Sequence, residues 1–178
     1  MQVQDLGFIM RLLAAAVAIA GAYTDLTVRK IPNKLTMSAT LLGFGSNLLF
    51  CGRNAFVNSV LGFLLGFSFI LLWILGALKA GDVKLYMAIG AVGGWRFCLS
   101  VMIISVLLGG IISSFVLLIR KEGRIALRNV WNYIVNMLLL RKFYPYKPIS
   151  ESSYFSFGIY IAVGAVVTIF IGSKNNFI

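Results

Sequence analysis

Five residues of this 178-residue chain are acidic, and two of them, Asp25 and Asp82, sit where an apolar run meets a basic stretch. The other three have ordinary positions: Asp5 precedes the first apolar run, Glu122 lies in a basic stretch, and Glu151 precedes the last run. An Asp at the centre of a spanning helix costs on the order of 2.5 to 3.5 kcal/mol, so a carboxylate near hydrocarbon needs a partner or a task. Partners are at hand, since Arg29 stands at i+4 from Asp25 while Lys79 and Lys84 flank Asp82. A task is equally available. Two carboxylates converging on one membrane face repel, and the pair keeps one proton between them. One acid then takes a proton from water while the other donates a hydrogen bond to a scissile carbonyl. This is aspartic proteolysis, which requires no metal, histidine or serine.

Much other chemistry is excluded by composition. There is no histidine, and Cys51 and Cys98 stand alone with no C-x-x-C spacing, so a zinc site, a Ser-His nucleophile and a histidine base are all absent from the sequence. Both cysteines read as small packing residues. No cofactor and no metal is expected.

The elements that must position the two acids are membrane helices. The chain is 60% hydrophobic and 12% charged, against roughly 25% charged in a soluble domain. Apolar windows fall at Leu6 to Tyr23, Leu35 to Phe50, Ala55 to Leu78, Val83 to Trp95, Phe97 to Ile119 and Tyr154 to Gly172. The fourth and fifth are separated only by Gly93, Gly94, Trp95 and Arg96, so about six spans are expected, with five as the second choice. No linker or repeat divides the sequence, and residues 1–178 are read as one all-α, polytopic membrane helix bundle. Of its 16 lysines and arginines, all but Arg11, Arg53, Arg96 and Lys174 fall on one side if the N-terminus is outside. The positive-inside rule then puts Asp25 and Asp82 on the cytoplasmic face of the cell membrane. The net charge of +11 lies between apolar runs, which suits anionic lipid headgroups and not nucleic acid.

Within the last cytoplasmic loop, Arg128, Asn129, Asn132 and Asn136 share one helical face and Leu127, Val130, Trp131, Ile134 and Leu138 the other. That pattern predicts an interfacial amphipathic helix over residues 124–140, followed by an extended connection from Phe143 to Pro148. Gly62 and Gly66, and again Gly90 and Gly94, are spaced for close helix packing.

Around the acids the sequence reads Tyr23-Thr24-Asp25-Leu26-Thr27-Val28-Arg29-Lys30-Ile31-Pro32-Asn33 and Lys79-Ala80-Gly81-Asp82-Val83-Lys84-Leu85. Pro32 suits the first position of a helix. Gly81 removes a side chain beside the second acid and permits positive φ, so that a peptide backbone can approach. An Asp before a basic loop with Ile-Pro-Asn, paired with Gly-Asp-Val-Lys-Leu, resembles the type IV prepilin peptidases, membrane aspartic peptidases of the G-x-G-D class. Phe157-Gly158 and the small residues up to Gly164 also resemble that family's last helix. The resemblance implies Asp25 and Asp82 as catalytic acids, with Gly81, Lys84, Pro32 and Asn33 shaping the site or meeting substrate. It also implies a prepilin or pseudopilin precursor as substrate, its short leader cut at the cytoplasmic face. Two departures stand out. Lys79 replaces the first glycine of the motif; on a helix its ammonium stays beside Asp82, and on a loop it can run out to headgroups. The added segment with paired cysteines found in the larger, N-methylating members is missing, which resembles the compact peptidases of tight-adherence pilus systems and implies no methyl transfer. Two other classes remain: a catalytically inactive pilus-assembly scaffold, and a cation or proton transporter using the same acids. No oligomeric state is assigned.

Overall fold

The computed structural model describes residues 3–74, 78–119 and 156–175. These form helices only: α1 (Val3–Val28), α2 (Asn33–Phe50), α3 (Gly52–Ser68), α4 (Ile70–Ile74), α5 (Ala80–Ile119) and α6 (Phe157–Asn175). The predicted amphipathic helix over 124–140 and the connection from Phe143 to Pro148 lie outside the described residues.

Among the described residues, three stretches are long and apolar enough to cross a membrane, Leu6–Val28, Gly52–Ile74 and Ala80–Phe115, with a shorter apolar helix at Phe157–Gly172. They mark a multi-pass membrane protein. The third is 36 residues long, which as one rod would measure about 54 Å, well beyond a hydrocarbon core of about 30 Å. It does not run as one rod. At Gly94 the backbone turns to φ 82°, ψ 173°, a left-handed conformation that glycine enters freely. The hydroxyls of Tyr86 and Ser105 hydrogen-bond although 19 residues separate them. Cys98 likewise donates from Sγ to the Tyr86 carbonyl at 3.6 Å. In a straight helix Tyr86 and Ser105 would stand about 28 Å apart, so α5 is two antiparallel segments, 80–93 and 95–119, folded back at the Gly93–Arg96 boundary read from the sequence.

Segment 80–93 is the centre of the bundle. Its Leu85, Tyr86, Ile89 and Val92 pack with Phe97, Cys98, Val101 and Met102 of the returning segment, with Ala14, Ala15 and Ala18 of α1, and with Ile161 and Ala165 of α6. Glycines bring two further helices onto it. Gly62 of α3 lies so close to Gly90 that a Cβ at either would overlap the other's carbonyl, and a Cβ at Gly66 would come within 2.6 Å of the Met87 nitrogen. Gly43 of α2 packs likewise on the Ala91 backbone, and Asn47 donates from Nδ2 to the Ala91 and Val92 carbonyls at 3.3 and 3.1 Å. The packing expected of Gly62, Gly66 and Gly90 is therefore present. Gly94 is different: a Cβ there would meet nothing nearer than Asn58 at 3.8 Å, and its glycine serves the turn instead of a helix contact.

Candidate active site

Asp25 lies in the last two turns of α1, a helix that stops at Val28 because Arg29 takes φ 55°. This left-handed residue ends the intrahelical bonding, as C-terminal αL residues commonly do. The chain then passes Ile31 to Pro32, whose extended backbone (φ −64°, ψ 132°) caps α2; its carbonyl accepts from Leu35 and Thr36. Pro32 is thus the N-cap and Asn33 the first helical residue, one position later than expected.

Asp82 sits in the first turn of α5. Lys79 is the N-cap, its carbonyl accepting from the Asp82 and Val83 amides. The Asp82 carboxylate reaches back to accept from the Lys79 amide at 3.1 Å on Oδ2. This is the return half of a capping box, with Asp in the place usually held by Glu or Gln. One carboxylate oxygen is thereby committed. The other, Oδ1, is buried and has no hydrogen-bond partner among the described residues.

Both acids are almost fully buried, Asp25 at 2% and Asp82 at 1% relative exposure, and both line one cavity of about 380 Å³. Its other walls are Arg29, Lys30, Ile31, Pro32 and Asn33 of the first loop and Lys79, Gly81 and Lys84 of the second. Every site residue singled out in the sequence is therefore at this cavity. Their contacts differ in part from expectation. The Lys84 ammonium donates to Asn33 Oδ1 at 2.9 Å, so these two engage each other and tie the starts of α2 and α5. Gly81 is helical and lacks positive φ; a Cβ there would meet only the Ile31 side chain at 3.4 Å, an ordinary contact. The ion pair at Asp25 is made not by Arg29, which has left the helical path, but by Lys79, Nζ to Oδ1 at 3.5 Å. Lys79 thus serves both acids: its backbone amide holds Asp82 and its side chain reaches Asp25.

Sequence reasoning missed a contributor. Ser156, just before α6, donates its hydroxyl to Asp25 Oδ2, and the Gly158 amide approaches the same oxygen at 3.4 Å. Gly158 is also tight against α1, a Cβ there coming within 3.2 Å of the Asp25 Cβ. The available signal was a serine at the position that caps a helix, which commonly offers its oxygen to its own helix; nothing local says that it turns to an acid 131 residues away.

Two buried carboxylates from different helices open on one cavity at one end of the bundle, an arrangement that suits an aspartic membrane hydrolase. The type IV leader peptidase family matches residues 12–114, more than half of the chain, and the chain belongs to that family. It is a family of aspartic peptidases, and membership implies cleavage of prepilin leader peptides. Asp25 and Asp82 both fall inside the match, whereas Ser156 and α6 lie beyond it, so the family match ends well short of the Phe157–Gly164 pattern. No curated protein and no solved structure gives a significant match.

Proposed function

We propose that this protein is an endopeptidase that removes the short leader from type IV prepilin-like precursors at the cytoplasmic membrane face, with Asp25 and Asp82 as its catalytic pair. The observation that carries the reading is the burial of two acids from two helices against a single cavity. In the reaction one carboxylate takes a proton from water as its oxygen adds to the scissile carbonyl carbon. The other, protonated acid donates to the carbonyl oxygen. Collapse of the tetrahedral intermediate breaks the C–N bond, and the leaving amine takes up a proton. The unpartnered Asp82 Oδ1 is the atom best free to face water or the carbonyl, while Ser156 and Gly158 hold Asp25 in position.

The 178 residues act as one membrane domain of six spans: α1, α2, α3 with α4, the two arms of α5, and α6. With the N-terminus outside, the site and its lysines face the cytoplasm, where anionic lipid lies beside them. Cys51 and Cys98 stand alone, with no segment of paired cysteines, which supports the compact tight-adherence type. No metal or cofactor takes part.

Lys79 favours a second reading. An ammonium on Asp25 is what an inactive assembly scaffold could retain. Cleavage of a cognate prepilin by membranes holding the wild type, Asp25→Asn or Asp82→Asn at equal protein level separates the two. Trimming by the wild type and by neither variant is expected; full cleavage by either variant overturns the pair, and no cleavage by any protein favours the scaffold.

A further inference from the structure

At the end of the bundle away from the acids lies a second polar cavity of about 340 Å³, lined by Arg11 of α1, Asn58 of α3, and Gly94, Trp95 and Arg96 at the fold-back of α5. Arg11 stands 14 residues before Asp25 (25 − 11), about 21 Å along α1. Arg96 follows Asp82 by the same count (96 − 82), just past the break. A pair of arginines at one end thus answers the pair of acids at the other, with the apolar core between them.

The two arginines reach one cavity from separate elements. Among the described residues neither has a carboxylate partner, the ion pair there being Lys79 with Asp25. Arg11 is half-buried, and Arg96 lies 5.4 Å from the Trp95 ring centroid. Like charges held together from separate elements cost free energy that an anion between them recovers. Two guanidinium forks suit the oxygens of a phosphate, and tryptophan beside arginine is typical of headgroup depth. The flanking Leu12, Val57, Leu61 and Leu99 are exposed, in place to meet acyl chains.

We propose that this cavity binds the phosphate of an anionic phospholipid headgroup in the leaflet opposite the two acids, with Arg11 and Arg96 taking its oxygens. Free inorganic phosphate offers the same chemistry, and the test separates the sources. The full chain in detergent is mixed with phosphatidylglycerol or phosphatidylcholine and the retained lipid counted by native mass spectrometry; inorganic phosphate alone is tried by thermal shift. The wild type is expected to retain phosphatidylglycerol over phosphatidylcholine. Arg11→Gln/Arg96→Gln should lose about tenfold in that retention, the effect of about 1.4 kcal/mol. Arg53→Gln, which removes a cation outside the cavity, should retain it in full. Should the double glutamine variant not fold, Arg11→Lys/Arg96→Lys keeps the charge and loses the forks, and a fall of a few-fold is expected. A thermal shift by phosphate alone that the double variant loses supports the same site with a free anion as its ligand. Retention undiminished in the folded double variant, or unchanged in the lysine pair when only that folds, overturns the proposal.

Discussion

Replacing Lys79 by glutamine should make the enzyme faster. The Lys79 ammonium lies 3.5 Å from Asp25 Oδ1, with the lysine side chain 31% exposed and the acid 1%. At an effective dielectric of about 20 that separation is worth about 5 kcal/mol of attraction. Desolvating the ammonium and immobilising a four-carbon stem return most of it, leaving about 1 to 2 kcal/mol for a pair that is partly open to water. While the pair holds, Asp25 is occupied by a cation, so on the proposed mechanism substrate and water must displace Lys79 first. Removing the charge abolishes that step, and about 1.4 kcal/mol corresponds to about a tenfold rise in kcat/KM. Glutamine leaves the backbone amide that caps Asp82 in place. The assay is the initial rate of prepilin cleavage by purified wild type and Lys79→Gln in matched lipid. A fall to the level of Asp25→Asn, at equal protein level, would refute the reasoning and make Lys79 part of the machinery instead of a resting lock.

Three other outcomes follow from the geometry. Ser156→Ala removes a hydroxyl from a buried carboxylate, worth about 1.5 to 3 kcal/mol for a bond to a charged group; cleavage should fall about tenfold or more while the protein accumulates normally on immunoblots. Gly62→Val would drive a side chain into the Gly90 backbone and should abolish folded protein, whereas Gly81→Ala meets only Ile31 and should leave both level and thermal stability close to wild type. Gly94→Ala forces a Cβ into the left-handed region, and a loss of about 1 to 2 kcal/mol should appear as a lowered melting temperature.

What was legible in the sequence follows from what is local. Asp25 and Asp82 stood out because acids are scarce in an apolar chain, and the break at Gly94 because glycines and an arginine interrupt an apolar run. Burial and one shared cavity then fit a motif read over a few residues at a time. The partners of the acids were not legible. Helical spacing pointed from Asp25 to Arg29, but a positive φ at Arg29 takes it off that face, and the ion pair comes from 54 residues away (79 − 25). Ser156 reaches Asp25 only once α6 has packed on α1, which no periodicity encodes. Gly81 does not use the backbone freedom that glycine offers, because the capping turn begun by Lys79 already places its neighbour in a helix.

The glycine contacts divide the molecule into unequal partners. The segment bearing Asp82 is clamped backbone to backbone by α3 and α2, where sliding would drive one main chain through another. Asp25 travels on α1, which meets that segment through alanines and the Leu85 side chain, and it is fastened to the start of α6 by Ser156 and Gly158. The two acids therefore sit on helices held in different ways, one by backbone contact and the other through side chains, within one shared core. Side-chain contacts yield at lower cost than backbone against backbone, so α1 has more room to shift on the Asp82 segment than α2 or α3 has.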